Sequence, residues 1–264
     1  IGGVADSAFR AGDPRVERGR ARDRAGHAAR PPVPRRAGTA QPADRRGGRS
    51  GAVRRRGAAA DAEGPRAVSA LRFWWVRHAP TGRRGAIGWT DAPADFSDAA
   101  AFARLSALLP EPAALVSSDL SRAKGTADRV AGPGRRRMRD DPALRELHFG
   151  DWEGLDFAEA ERGWPEAHAA FWAAQGPAAA PGGESLDALA ARVDGAIDRL
   201  VAEIGAGDVV VVAHMGAVMM ALRRALGLTP AQATAFQIAP LSVTRLDWLP
   251  EPGAWRVAQV NRTP

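Results

Sequence analysis

The chain has no cysteine, no tyrosine and, among 37 basic residues, a single lysine, Lys124. Without cysteine it has no disulfides, no thiolate metal ligands and no cysteine nucleophile. Long apolar runs are also missing. The longest, Val209 to Leu222, is 14 residues and contains His214, short of the roughly 18–20 that a membrane helix needs. The N-terminus has no apolar core of a secretory signal. These absences lead to the expectation of a soluble, cytoplasmic protein with no membrane partner.

Charge is present but uneven. Residues 1–66 hold 16 Arg against 7 acidic residues, a net +9, while residues 67–264 hold 21 basic and 23 acidic residues, a net −2. The overall +7 therefore belongs to the first quarter, and the remainder has no charge excess that would mark a nucleic-acid binder. Residues 1–66 are rich in Arg, Ala, Gly and Pro, with no apolar period, and cannot bury enough surface to offset their ordering entropy. Three readings compete for them: a disordered basic arm touching nucleic acid or anionic lipid, an inert solvated tail, or wrong-frame translation of GC-rich coding sequence with the true start near Val68. Residues 67–264 are expected to form the folded domain.

From residue 67 the pattern alternates strand and helix. Leu71 to Val76 reads as a buried strand, Ala113 to Ser117 as a second and Val209 to Ala213 as a central one. Ser97 is expected to cap a helix with Phe102, Leu105 and Leu109 on one face, and a further helix runs from Ser121 to Val130. Trp152 to Pro181 reads as an Ala- and Trp-rich helical insertion broken at Gly163 and Pro165. Ser185 opens a helix whose face is Leu186, Leu189, Val193, Ile197, Leu200 and Ile204. Ala217 to Leu226 is helical with Gly227 as its stop, and Thr229-Pro230 starts a short helix. Leu241 to Leu249 and Trp255 to Val260 alternate as a half-exposed strand pair. Strands separated by helices predict an α/β fold with a mostly parallel sheet and helices on both faces.

Polar clusters follow three of the strands: Arg77-His78, Ser117-Ser-Asp-Leu-Ser-Arg122, and His214. In open α/β sheets the ligand crevice lies beyond the carboxyl ends of the strands, so Arg77, His78, Arg122 and His214 are expected to share a pocket. Two guanidinium forks and two imidazoles suit a phosphoryl group. The segment Leu144-Arg-Glu-Leu-His-Phe-Gly-Asp-Trp-Glu-Gly154 adds carboxylates, one of which could protonate a leaving oxygen.

These residues resemble the histidine phosphatase superfamily, the phosphoglycerate-mutase-like proteins. Arg77-His78-Ala-Pro-Thr81 is similar to its Arg-His-Gly signature. Gly88-Trp-Thr-Asp91, Ser117-Ser-Asp-Leu-Ser-Arg-Ala123, Leu144-Arg-Glu146 with Phe149-Gly-Asp-Trp-Glu-Gly154, Pro181-Gly-Gly-Glu-Ser185 and Val212-Ala-His-Met-Gly216 follow in family order. The resemblance implies a three-layer α/β/α sandwich with His78 as the nucleophile that becomes a phosphohistidine. It implies Glu146 as general acid and then base, and Arg77, Arg122 and His214 as phosphate ligands. Thr81 and Gly88 would line the substrate entrance, with no metal and no cofactor. Three departures stand out: Ala79 where Gly is usual, Arg84 where Asn is frequent, and Met219 where the family often has Arg.

The activity so implied is a metal-independent phosphomonoesterase acting on a small phosphorylated metabolite. The short entry motif resembles the α-ribazole phosphatase branch, with α-ribazole 5′-phosphate as substrate. Alternatives are a phosphoglycerate-mutase-type phosphotransferase, a non-catalytic phospho-ligand module, and a nucleic-acid binder using the Arg-rich arm. Blander roles are expected for other residues: Glu153 as a local competitor for the acid role, Asp119 as a helix cap, His148 as a packing or rim residue, His168 as solvent-exposed, Trp152, Trp164 and Trp172 as core or lid packing, and Met215, Met219 and Met220 as core.

Overall fold

The computed structural model describes residues 70–264; the readings of residues 1–66, and of a start near Val68, lie outside the described residues. The sheet is built around β1 (Leu71–Arg77). On one side of it lie β4 (Gly207–Ala213), β2 (Ala113–Ser117) and β3 (Arg135–Arg137). On the other lie β5 (Val243–Leu249) and β6 (Ala254–Arg262), giving the order β3-β2-β4-β1-β5-β6. The first four run parallel, β5 pairs antiparallel with β1, and β6 antiparallel with β5. The parallel strands match the expectation, and the late alternating pair forms the antiparallel edge.

Strand parity divides the apolar residues between two cores. Phe73, Trp75, Ala114, Val116, Val209 and Val211 point to one face, where they pack with α5 (Leu186–Ile204) and α6 (Met215–Leu226). Val76, Leu115, Val210 and Val212 point to the other, against α1 (Ala99–Leu108) and α2 (Ser121–Val130). Both faces being covered explains why these strands read as continuous apolar runs. The short helices α3 (Phe157–Gly163) and α4 (Pro165–Ala173) add Ala160 and Phe171 to the first core. The expected stripe on α5 is buried from Leu186 to Leu200. The last helix, α7 (Pro230–Ala233), starts at a Thr229–Gln232 capping box.

Several local expectations are corrected. The cap of α1 is Asp98, whose carboxylate accepts from Ala101 N, not Ser97. The N-cap of α2 is Leu120, without a side-chain cap, because the Asp119 carboxylate is paired with Arg145 at 2.6 and 2.7 Å. His168 is half-buried rather than exposed: its Nε2 accepts from Trp172 Nε1 at 2.9 Å and its ring packs on Trp152. Helix α6 begins two residues earlier than its apolar face suggested, directly after His214. Among the described residues, no helix is long and apolar enough to cross a membrane.

Candidate active site

Three strands end at one level. Arg77 is in register with Ala213 and Ser117 with Val212. The ladder continues one residue further: His78 N donates to Ala213 O at 2.9 Å, and Ser118 N to Val212 O at 3.0 Å. His78, Ser118 and His214 therefore leave the sheet side by side, held by backbone bonds of the most buried strands. The two imidazoles meet edge to face, with centroids 4.9 Å apart.

His78 Nδ1 lies 2.6 Å from Ala79 O. A carbonyl oxygen only accepts, so Nδ1 carries the proton and Nε2 keeps its lone pair. The loop that supplies this carbonyl is strapped to α2: Ala79 N donates to Thr126 Oγ1 at 3.0 Å, and Thr126 Oγ1 donates to Arg122 O at 2.7 Å. Burial first, and then the charges of Arg122 and Arg77, hold the His78 pKa well below the usual 6.5, so the ring is neutral near pH 7.

Arg122 occupies the first turn of α2 and is 1% exposed. Its Nε donates to His78 Nε2 at 3.3 Å, its Nη1 to Thr90 O at 2.8 Å and its Nη2 to Gly88 O at 2.6 Å. Burial lowers its pKa, while the charges of Glu146, Asp91 and Glu153 act the other way. Arg77, half-buried at the end of β1, donates from Nη1 to Ile238 O at 2.5 Å. His214 is fully buried. Its Nε2 is 2.9 Å from Ser118 Oγ, and its Nδ1 has no hydrogen-bond partner among the described residues. Burial, then the charges of His78, Arg122, Arg192 and Arg77, push its pKa well below 6.5.

Glu146 is 7% exposed and lies between two single-turn 3₁₀ helices, Pro142–Leu144 and Gly150–Trp152. Its Oε1 accepts from Leu147 N at 2.8 Å and from Gly216 N at 3.0 Å, and its Oε2 from Gly216 N at 3.2 Å. A Cβ at position 216 would overlap Oε1, so the first turn of α6 needs glycine there to receive the carboxylate. Glu153, the competitor for the acid role, is committed elsewhere. Its Oε1 accepts from Trp89 N (2.7 Å) and Phe149 N (3.1 Å). Its Oε2 accepts from Gly88 N (3.1 Å), Thr90 N (3.1 Å) and Thr90 Oγ1 (2.7 Å).

The structure thus brings together Arg77, His78, Arg122, Glu146 and His214, with Gly88 touching the group through its carbonyl. At Gly88 a Cβ would overlap Leu147 O and the Glu153 carboxylate. Thr81 is half-buried, and its Oγ1 accepts from Arg83 N at 3.3 Å, which shapes the following turn. Arg84 is exposed. At the rim, Trp89 stacks on His148 (4.6 Å between centroids) under the Arg145 guanidinium (4.8 Å). Sequence reasoning overlooked the roles of Ser118, Thr126, Thr90, Glu184 and Arg192. Thr126 had a readable signal, since it lies one helical turn after Arg122.

The family profile of the histidine phosphatase superfamily (branch 1) matches residues 73–263, and the chain belongs to that superfamily. It is similar to glucosyl-3-phosphoglycerate phosphatase of Mycobacterium tuberculosis, 40% identical over 124 residues, which is 44% of this chain and 55% of that protein. The native structure of mycobacterial glucosyl-3-phosphoglycerate phosphatase superposes with a TM-score of 0.65 at 30% identity, covering 74% of this chain and 100% of that one. The α-ribazole phosphatase of Shigella flexneri superposes with a TM-score of 0.63 at 23% identity, covering 72% and 96%, which is a likeness of fold. The chain spans 31% to 55% of the length of the curated relatives it matches.

Proposed function

We propose that this chain is a phosphomonoesterase that works without a metal, through a phosphohistidine at His78. One observation carries the reading: a buried, neutral imidazole with its Nδ1–H fixed by Ala79 O presents Nε2 beside the guanidinium of Arg122. In the first step the Nε2 lone pair attacks phosphorus, and the bond from phosphorus to the leaving oxygen breaks in line. Glu146, as the acid, gives that oxygen its proton. In the second step the Glu146 carboxylate takes a proton from water, the water oxygen attacks phosphorus, and the P–N bond breaks to release phosphate and neutral His78. Arg122, Arg77 and His214 hold the phosphoryl oxygens throughout. Arg122 moves its Nε–H from the imidazole lone pair to a phosphoryl oxygen, its two Nη atoms staying on the carbonyls of Gly88 and Thr90. To hold a phosphoryl oxygen, His214 must donate from Nδ1, the ring nitrogen without a partner among the described residues, and Ser118 Oγ, 2.9 Å from Nε2, then serves as the donor to Nε2.

The substrate class is a small phosphorylated metabolite. α-Ribazole 5′-phosphate and glucosyl-3-phosphoglycerate are the two first candidates, the first from the entry motif and the second from the relative at 40% identity. The test is phosphate release from p-nitrophenyl phosphate in EDTA, with wild type beside His78→Ala, followed by both candidates. Turnover in EDTA that vanishes in His78→Ala, with acid-labile phosphate trapped on the wild type alone, is the expected result. A folded wild type that releases no phosphate from any of the three overturns the reading in favour of a mutase or a binding module.

A further inference from the structure

We propose that the ion pair Glu184–Arg192 is the positioning device for Glu146; the inference rests on the acid role of Glu146 given above. Residues 145–149 lie outside helix and sheet, so their carbonyls have no ladder partners, and buried carbonyls need partners. Arg192, on the second turn of α5, supplies them for Arg145 and Glu146. Its Nη1 donates to Ala143 O at 3.0 Å and to Arg145 O at 2.6 Å, and its Nη2 to Glu146 O at 2.6 Å. One guanidinium thus holds two carbonyls of the segment that carries the acid and one of the turn before it; the acid's own carbonyl is also met by Trp89 Nε1 at 2.9 Å.

Glu184 completes the clamp from the Pro181-Gly-Gly-Glu-Ser185 motif, to which the phosphoryl chemistry assigned no role. Its Oε2 accepts from Arg192 Nε at 3.0 Å, and its Oε1 from Arg192 Nη2 at 2.5 Å. The same Oε1 accepts from His148 N at 2.9 Å, and Glu184 N donates to His148 O at 2.9 Å. The pair therefore grips the chain on both sides of Glu146. Both side chains are largely buried, 17% and 15% exposed, and Arg192 is rooted beside Leu189 and Val193, which are fully buried on α5. The planar fork of Arg is what allows three carbonyls and a carboxylate to be met at once; a lysine ammonium offers no such geometry. Gly216 fixes the tip of the Glu146 side chain, and Arg192 fixes its root. Proton delivery to a leaving oxygen depends on both, because a misplacement of about 1 Å costs roughly a hundredfold.

The experiment uses the full chain and two substrates. p-Nitrophenyl phosphate has a leaving group that departs without a proton, whereas glycerol phosphate has one that needs it. The measured quantity is kcat/KM, which reports the step in which the leaving group departs. Glu146→Gln is expected to raise the aryl-to-alkyl ratio of kcat/KM at least tenfold. Arg192→Met keeps the aliphatic stem and is expected to raise the ratio in the same direction, with the double variant no worse than Glu146→Gln alone. Glu184→Gln, which preserves volume, is expected to show a smaller rise and serves if Arg192→Met does not fold. If Glu146→Gln raises the ratio while the folded Arg192 or Glu184 variant lowers both substrates equally or neither, the pair is merely structural and the proposal is overturned. If Glu146→Gln leaves the ratio unchanged, the acid role itself fails, and the proposal falls with it.

Discussion

Glu153 and Glu146 stand seven residues apart in one loop, and replacing Glu153 tests whether it is the structural carboxylate that the proposed mechanism makes it. Five donors converge on the Glu153 oxygens, four of them backbone N–H groups from Gly88, Trp89, Thr90 and Phe149. Burial alone would push its carboxyl up, but the Thr90 hydroxyl and the N–H groups of Trp89, Thr90 and Phe149 outweigh it and bring the pKa below the usual 4.5. Hydrogen bonds to a charged group contribute about 1.5–3 kcal/mol each, and they are not additive. Trp89 and Thr90 are exposed, so water replaces the lost acceptor there, whereas Gly88 and Phe149 are buried. Glu153→Gln turns an NH₂ group toward donors and orphans at least one buried N–H. The expected loss is therefore about 3 kcal/mol, or about 6–12 °C in Tm for a domain of this size. Because the carbonyls of Gly88 and Thr90 anchor Arg122, loosening this loop also weakens the hold on phosphoryl oxygens that the proposed mechanism gives to Arg122. A ten- to hundredfold drop in kcat/KM, roughly 1.4–2.8 kcal/mol, should be matched by a similar rise in the inhibition constant for vanadate. Calorimetry and inhibition kinetics on one preparation give both numbers. An unchanged Tm combined with a loss of kcat beyond a thousandfold would refute this reasoning and make Glu153 the proton donor.

The two buried imidazoles make stability depend on pH. Both have folded-state pKa values well below the usual 6.5, so below that pH the unfolded chain binds protons that the folded chain does not. Stability is then flat above 6.5. It falls beneath it by up to about 1.4 kcal/mol per pH unit per ring until the folded-state pKa is reached. Denaturant unfolding between pH 8 and 5.5 should show this slope, and His78→Gln should remove its share; an identical slope in the variant would contradict it. At the sheet edge, buried Arg135 donates to the carbonyls of Ser106, Leu109, Pro110 and Val130 and to Ser106 Oγ. Arg135→Ala removes these bonds, leaving Ser106 O with only its bond from Leu109 N, and should cost about 3–5 kcal/mol. Specific activity of the folded fraction should stay at the wild-type level, as checked by thermal unfolding beside a phosphatase assay.

How much of this could be read beforehand depends on whether a residue's partner is local. The Val209–Ala213 strand declares itself because both its faces are buried, and the α5 stripe because every third or fourth position is apolar. β3 does not: Arg135–Arg137 has no apolar pattern and becomes a strand by pairing with Ala113–Leu115, its buried member satisfying helix ends instead of filling a core. Ser97 and Asp98 are both good caps, adjacent in the sequence, and it is the Asp98 carboxylate that meets Ala101 N at 2.9 Å. Asp119 sits where a cap belongs, yet a guanidinium 26 positions later claims it. The cluster itself was legible because strand ends bring Arg77, His78 and His214 together by topology, with Arg122 following on the first helical turn.

The choice of Glu146 over Glu153 came from the family resemblance and not from the residues themselves, since both lie in one irregular loop and neither spacing nor charge separates them. Counting donors separates them. Each carboxylate oxygen has about two lone-pair sites. Glu153 receives two donors on Oε1 and three on Oε2, so a proton arriving there would have to displace an existing bond. Glu146 receives two on Oε1, but on Oε2 only the longer half of a bond shared by Gly216 N. That oxygen retains room for a proton while the rest of the group is held still, and those are the two properties a residue must combine to act first as acid and then as base.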